Sequence, residues 1–309
     1  MKKKTYHPFN RKRILPWILF IVLVQNIQAQ RDVPKMWVSK DVSRNRMDLF
    51  TTKKQILDLA IGGQHPDKYF FTIASVKDLI KQIESNYKVT RGQALNVYIA
   101  ACDNDQDSTS PVGTMKKNQL VIIFAPAIKS KRVYHDIGTY YTINITDYSV
   151  HAIPVKDKNA WVGNYINNIV GDKTRGLAST IADSRENYTG QTLSDTRSLS
   201  YLYSDFKDFI TTEREFQDTS STEPITGIDL CFAAYPDTGI GCNYYGYPLT
   251  DFKNRLLLQF EFTKKRGATD EIFYIDDLGG FENRSRDGLC NKVSLGGDNG
   301  QLCPPNCPR

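Results

Sequence analysis

Hydrophobic and polar positions follow the same order in two stretches of this chain. In the first stretch, apolar residues from Val76 to Ile83 recur at i, i+3, i+4 and i+7, which predicts an amphipathic helix. The segment LNVYIAAC at 95–102 then alternates apolar and polar residues, which is typical of a strand buried on one face. The segment NQLVIIFAP at 118–126 predicts a second, more fully buried strand that Pro126 ends.

The second stretch matches the first at three points. VKDLI at 76–80 aligns with FKDFI at 206–210, LNVYIAAC at 95–102 with IDLCFAAY at 228–235, and NQLVIIF at 118–124 with NRLLLQF at 254–260. The offsets between the copies are 130, 133 and 136 residues, in that order along the chain. Three collinear matches predict an internal duplication. In the second copy, Asp229 and Cys231 are expected to face away from the core.

The remaining patterns complete the predicted fold. The segments 133–143 and 271–276 are rich in β-forming residues, and 159–170 and 198–210 have helical spacing. The fold class is therefore α+β, with two related domains that are each a small antiparallel sheet covered by helix. The predicted divisions are a signal peptide at 1–29, domains at 30–152 and 153–277, and a Gly/Pro/Cys-rich tail at 278–309.

The first thirty residues have the order of parts found in a secretory signal peptide. A basic region without acids precedes the apolar run ILPWILFIVLV at 14–24, and small Ala29 precedes the expected cleavage point. Eleven helical residues reach only about 16 Å, roughly half the hydrocarbon core of a bilayer. We therefore expect cleavage, no transmembrane anchor afterwards, and export to the periplasm, the cell surface or the medium.

Removal of that segment changes the charge balance. The full chain has 40 Lys and Arg against 34 Asp and Glu, and six of the basic residues lie in the basic region of the signal peptide. The exported part is nearly neutral, which argues against nucleic acid as a partner.

The chain contains six cysteines, an even number that predicts disulfides in an oxidising compartment. Pro304 and Pro305 favour an extended conformation that holds Cys303 and Cys307 roughly 12 Å apart, beyond the ~7 Å reach of a disulfide. We expect Cys303 and Cys307 to pair with cysteines elsewhere, one of them with Cys290 and the other with Cys231 or Cys242, so that the tail is fixed to the second domain while Cys102 stays free. Zinc binding and an intermolecular bond are the alternatives. The disulfide candidates are Cys231, Cys242, Cys290, Cys303 and Cys307.

The order of an amphipathic helix, a VYxAxC-like strand, a polar loop, an LVIIF strand and a terminal CPPNC resembles a family of uncharacterised bacterial exported proteins. Members of that family end in a Cys-Pro-Pro-x-Cys segment. The resemblance implies that the helix and strand unit is doubled here and that only the second copy keeps the tail. It implies no activity.

Two loops carry the candidate binding residues. Asp103, Asp105 and Asp107 alternate in the first loop, as the first three ligands of a calcium loop do, although Ser108 and Thr114 replace the Gly and Glu of that motif. Solvated turn residues are the alternative interpretation. The corresponding loop of the second copy has Asn243, Tyr244, Tyr245 and Tyr247, which suit stacking on a glycan or a partner protein, or covering of the loop's own base.

The sequence contains no motif of a known catalytic or nucleotide-binding site. We therefore expect an exported, non-enzymatic binding or structural module that uses the divergent loops of its two copies. Its partner would be a protein or a glycan, without a cofactor. The alternative is a secreted glycan-acting hydrolase whose carboxylates come from Asp103 to Asp107 and from Asp276.

Overall fold

The structure is a computed structural model, and it describes residues 40–86, 93–130, 133–170, 198–219, 224–234, 243–244, 247–248, 256–266, 269–273 and 301–302. The chain divides into two compact units, Met1–Val33 and Pro34–Arg309. All described residues belong to the second of these units. The predicted signal peptide and most of the predicted tail lie outside the described residues.

The described chain contains four helices and thirteen strands. The helices are α1 (Lys40–Ile61), α2 (Ile73–Asn86), α3 (Val155–Asn164), which continues as a π-helical turn at Tyr165–Val170, and α4 (Tyr203–Thr219). The strands are β1 (Lys68–Thr72), β2 (Gln93–Ala101), β3 (Leu120–Ser130), β4 (Val133–Asp136), β5 (Tyr140–Ile143), β6 (Val150–Ile153), β7 (Ser198–Leu202), β8 (Ile225–Ala234), β9 (Asn243–Tyr244), β10 (Tyr247–Pro248), β11 (Leu256–Arg266), β12 (Thr269–Phe273) and β13 (Gln301–Leu302).

These strands form two large antiparallel sheets. The four-stranded sheet has the order β1-β8-β11-β12. The seven-stranded sheet has the order β13-β7-β2-β3-β5-β6, with β4 also paired to β3. Helices pack on both sheets, α1 on β8 and α3 on β2. The predicted α+β class with antiparallel sheets is thus confirmed.

The two matching stretches each pair their first strand with the other stretch. We call β1, α2, β2, β3 and β4 the first unit, and β7, α4, β8, β11 and β12 the second unit. Strand β1 of the first unit pairs with β8 of the second, and β7 of the second unit pairs with β2 of the first. The predicted domain boundary near residue 152 therefore does not separate the two sheets, because each sheet contains a strand from either side of it.

Strand registers correspond between the units at the offsets found in the sequence. The pair Leu95↔Tyr201 becomes Phe71↔Ile228 when 133 is added to the β2 residue and 130 is subtracted from the β7 residue, and all five β2–β7 pairs convert in this way. Eight of the nine β2–β3 pairs convert to β8–β11 pairs, and the ninth is displaced by a bulge at Thr263/Lys264. All four β3–β4 pairs convert to β11–β12 pairs. Common ancestry of the units stays a prediction.

Aromatic side chains join the two sheets in the core. The Tyr69 hydroxyl of β1 donates to the Leu120 carbonyl of β3 at 2.7 Å. On the other exchanged strand, the Tyr201 hydroxyl donates to the Leu258 carbonyl at 3.2 Å, and its ring meets Phe260 at a centroid distance of 5.5 Å. Each exchanged strand therefore both extends one sheet and reaches the other.

His65 is a buried polar residue in this core. Its Nε2 accepts a hydrogen bond from the Leu120 N–H at 3.2 Å, and its Nδ1 lies 2.7 Å from the Pro66 carbonyl. The backbone N–H fixes the ring as neutral, with the proton on Nδ1, because Nε2 must supply a lone pair. His65 thereby connects the segment before β1 to the first residue of β3.

Three sequence predictions are corrected by the structure. Residues 198–202 form strand β7 rather than the start of a helix, because their backbone groups pair with β2, and α4 begins only at Tyr203. Pro126 does not end β3, since its carbonyl accepts the Ile137 N–H at 3.1 Å and its nitrogen therefore faces the junction of β4 and β5 rather than β2. Strand β8 is buried on both faces, so Asp229 and Cys231 are buried rather than exposed on the face opposite the predicted core.

Candidate functional site

The loop that joins β2 to β3 at residues 102–119 is held by hydrogen bonds between its own backbone groups. Gln106 and Met115 exchange backbone hydrogen bonds of 2.7 and 3.1 Å across it. At its base, the Cys102 N–H donates to the Gln119 carbonyl at 3.0 Å. Val112 and Met115 are buried, so the loop has an apolar interior of its own. A surface with this support keeps its shape before any ligand arrives.

Residues 144–149 support the same loop from the side. The Asn144 amide donates to the Ser110 carbonyl at 3.2 Å, and the Ile145 N–H donates to the Val112 carbonyl at 3.3 Å. Gly113 has φ of +79°, and a Cβ there would lie 2.6 Å from Asn144 Oδ1. Glycine is therefore required where the two loops touch.

The three acidic residues of the loop are exposed and do not converge. Asp105 Oδ1 accepts the Lys117 N–H at 2.8 Å. Asp107 Oδ1 accepts from the N–H and the hydroxyl of Thr109 at 2.8 and 2.6 Å, and these bonds hold the pKa of Asp107 below its usual range. Among the described residues no three His, Cys, Asp or Glu side chains form a group that could hold a metal ion. The carboxylates of Asp105 and Asp107 thus shape the turn, and calcium binding by Asp103, Asp105 and Asp107 stays a prediction.

The corresponding loop of the second unit is described only in part. Its backbone forms a small hairpin in which Tyr247 pairs with Tyr244 and Pro248 with Asn243. The side chains of Asn243, Tyr244, Tyr245 and Tyr247 lie outside the described residues. Their binding role stays a prediction.

A group of polar side chains lies where α3 packs on the seven-stranded sheet. Asp136 accepts hydrogen bonds from the Asn96 amide at 2.7 Å and from the Tyr98 hydroxyl at 2.6 Å. On the exchanged strand β7, the Ser200 hydroxyl donates to Asn96 Oδ1 at 2.5 Å. With two further neighbours these residues form what we call the Asp136 cluster: Asn96, Tyr98, Asp136, Tyr140, Lys158 and Ser200.

Lys158 of α3 supplies the positive charge of the Asp136 cluster. Its Nζ lies 3.9 Å from Asp136 Oδ2, and 4.3 and 4.9 Å from the ring centroids of Tyr98 and Tyr140. Burial lowers the pKa of Lys158, and Asp136 opposes that shift. Burial and the charge of Asp136 raise the pKa of Tyr98 above its usual range and that of Tyr140 to about 12. Because the Asp136 carboxylate is used within the protein, we interpret the cluster as a structural tie between α3, β4, β2 and β7.

The four-stranded sheet has polar residues at corresponding positions. Asp229 corresponds to Asn96 at the offset of 133 and pairs with Lys68 of the exchanged strand β1. Nearby on the same face, Glu261 accepts a hydrogen bond of 2.8 Å from the Ser43 hydroxyl of α1. In both sheets a polar residue of the second strand thus bonds to the strand that the other unit supplies.

Cys102 and Cys231 have free, buried thiols. Burial raises the pKa of Cys102 to about 12, and burial with the charges of Glu261 and Asp229 raises that of Cys231 well above its ordinary value. Cys231, a disulfide candidate, lies in the middle of a sheet between β1 and β11. That Cys102 stays free in the exported protein remains a prediction. The other four cysteines, Cys242, Cys290, Cys303 and Cys307, lie outside the described residues, and their pairing stays a prediction.

Asp147, Ser149 and His151 form a local chain of hydrogen bonds that the sequence did not suggest. The Ser149 hydroxyl lies 2.6 Å from His151 Nε2 and donates to Asp147 Oδ1 at 2.5 Å. In a catalytic triad the histidine stands between the carboxylate and the hydroxyl, whereas here the serine stands in the middle. The arrangement therefore orders the turn before β6 and does not activate a nucleophile.

Comparison of the chain with protein-family models, with curated proteins and with solved structures found no match. In the described part of the chain, no helix has both the length and the apolar character needed to cross a membrane.

Proposed function

We propose that this chain is an exported, non-enzymatic binding module whose ligand contacts the loops between the second and third strands of its two units. The observation that carries the proposal is the β2–β3 loop, which presents exposed acidic and basic side chains on a backbone that is already fixed. Export to the periplasm, cell surface or medium rests on the signal-peptide pattern of residues 1–29.

Electrostatics make a polar protein or glycan the suitable partner. The loop exposes Asp103, Asp105 and Asp107 together with Lys116 and Lys117, so both signs of charge lie within one loop. A mixed polar surface of this kind favours hydrogen-bonded recognition over burial of a large apolar group.

A binding measurement tests this function. The exported chain, residues 30–309, is applied to an array of microbial surface glycans and to purified envelope proteins, beside a variant that combines Asp103→Ala with Lys116→Ala. We expect a ligand whose affinity falls at least about tenfold in this variant, because two exposed polar contacts of about 1 kcal/mol each are removed.

The matched control combines Asp78→Ala with Lys156→Ala, two exposed residues on α2 and α3. Equal affinity of both variants for every ligand would contradict the use of the loop. Release of reducing ends from a bound glycan would instead favour the hydrolase, which needs two carboxylates about 5 to 10 Å apart around a sugar. The proposed hydrolase residues Asp103 to Asp107 are solvent-exposed, and Asp276 lies outside the described residues.

A further inference from the structure

The exchange of β1 and β7 determines how the two units are held together. A unit that kept its own first strand would place β1 beside β2, yet β1 lies beside β8 and β7 lies beside β2. Each first strand leaves its own unit's sheet, and α2 or α4 then returns the chain to that unit's second strand. The connection between the units therefore consists of two backbone ladders as well as packed side chains.

The two ladders correspond to each other residue by residue. Each contains five pairs, and every pair of one converts to a pair of the other at the offsets of 130 and 133. A polar residue at the corresponding position of the second strand bonds across each ladder, Asn96 with Ser200 and Asp229 with Lys68, although the two partners occupy different positions of β7 and β1. Reciprocal contacts of this kind, in which i meets j and j meets i, are the signature of a two-fold interface between identical subunits.

Contacts between the connecting helices cross the units too. The Lys207 side chain of α4 pairs with Glu84 of α2 at 2.6 Å, and the Tyr203 hydroxyl donates to the Ile80 carbonyl at 3.4 Å. Both helices also contact strands of the other unit, α2 with β8 and α4 with β2. The first strand and the following helix of each unit thus both contact the other unit.

From this geometry we propose that the fold is a strand-exchanged dimer joined into one chain, and that the partner which this interface fits is a second copy of the same β-α-β-β-β unit. The covalent link between residues 170 and 198 is then dispensable for cohesion. Neither unit completes its own sheet, because the place beside its second strand is filled by the other unit. A chain cut within this link stays one folded body whose halves separate only when the ladders break.

Cleavage of the full chain tests the proposal. A specific protease site is introduced into 171–197, the protein is cut under native conditions, and the product is examined by native mass spectrometry. We expect one species that contains both fragments. Cut protein is then mixed with isotope-labelled cut protein, and the appearance of hybrid species is compared with the unfolding rate measured by denaturant jump. Exchanged strands predict that the two rates agree within about threefold, since departure of a half requires loss of both ladders.

A matched pair of variants connects the rate to the ladder. Ser200→Ala removes the hydrogen bond to Asn96 and should accelerate hybrid formation about fivefold to tenfold, as expected for a buried bond of about 1 kcal/mol. Ser204→Ala, on the exposed side of α4, should leave the rate within twofold of the parent.

Three outcomes would overturn the proposal. Separation of the fragments into folded monomers would show that each half is a self-sufficient domain. Hybrids that form at least a hundredfold faster than unfolding would show that the halves are packed without exchanged strands. Unfolding of the protein on cleavage would show that the covalent link, rather than the two ladders, holds the halves together.

Discussion

Removal of the Asp136 carboxylate is the sharpest perturbation of the described structure. Asp136→Ala deletes the acceptor of the Asn96 amide and of the Tyr98 hydroxyl, and it leaves Lys158 without its carboxylate neighbour. Asn96 is 4 % exposed, so water cannot easily replace the lost acceptor. The cluster should therefore lose more than the side chain's own contacts.

The size of the destabilisation follows from the two donors that lose their acceptor, the Asn96 amide and the Tyr98 hydroxyl. A buried polar group left without a partner costs roughly 1 to 3 kcal/mol. Asn96 should contribute near the middle of that range and the partly exposed Tyr98 near its lower end. We expect Asp136→Ala to lower the free energy of unfolding by about 3 kcal/mol, with a smaller part from the uncompensated charge of Lys158.

Urea unfolding followed by tryptophan fluorescence measures this change in the free energy of unfolding. Buried Trp161 lies on α3, the helix that carries Lys158 of the cluster. Asp78→Ala is the control, since Asp78 is exposed and accepts a single exposed hydrogen bond from Gln82; it should cost less than about 0.5 kcal/mol. In a Tyr98→Phe background, Asp136→Ala should cost about 1 kcal/mol less. Equal costs for the two aspartates, or strict additivity with Tyr98→Phe, would refute the assignment of the cluster as a tie.

Three further predictions concern the core. Gly227→Ala should destabilise by more than about 2 kcal/mol in urea unfolding because its Cβ would overlap the β1 backbone and an aromatic ring, whereas Gly63→Ala meets nothing within 4 Å and should be nearly neutral. His65→Phe leaves the Pro66 carbonyl and the Leu120 N–H without their partners and should lower the free energy of unfolding by about 2 to 4 kcal/mol. The exposed control His135→Phe should lower it by less than about 0.5 kcal/mol. Because burial raises the pKa of the Cys102 thiol from 9.0 to about 12, the folded chain keeps a proton that the unfolded chain loses above pH 9. The free energy of unfolding should therefore fall as pH rises through this window, by at most about 4 kcal/mol from this thiol, and fall less steeply in Cys102→Ala.

The sequence predicts α2, β2 and β3 of the first unit and α4, β8 and β11 of the second, for a physical reason. Apolar spacing from Val76 to Ile83 is set by the face that α2 buries, and the alternation in 95–101 is set by the pleat of β2. Both signals depend only on neighbours along the chain. Helix α1 at Lys40–Ile61 was overlooked although Leu49, Phe50, Ile56 and Leu57 repeat at a spacing of seven, a signal that was available.

The exchange of first strands could not be read from the same patterns. Because β2 and β8 have similar sequences, β1 has two edges of nearly equal chemistry to choose between, and its own residues do not distinguish them. The short segment at 198–202 was assigned to a helix for a related reason, since five residues are too few to separate the two periods without knowledge of the partner strand. Pairing across more than 100 residues decides both cases.

The binding role of the candidate loop stays a prediction, and the contacts of its carboxylates involve residues that the local pattern does not specify. The sequence predicts Asp105 and Asp107 as calcium ligands or as turn residues, and in the structure their carboxylates accept hydrogen bonds from the Lys117 N–H and from the Thr109 N–H and hydroxyl. The residues of the Asp136 cluster come from five segments between Asn96 and Ser200, so no short sequence motif predicts the cluster.

Strand exchange also bears on the proposed role of the loops. The β2–β3 and β8–β11 loops emerge at corresponding ends of ladders whose registers agree, Ala101↔Leu120 in one sheet and Ala234↔Leu256 in the other. Between those ends one loop has an acidic turn and the other has a tyrosine-rich sequence. A change within either loop leaves the registers untouched, whereas a change in β1 or β7 disturbs both units. The registers thus leave the loops as the part of the scaffold that can change most freely, which is what the proposed binding module would require.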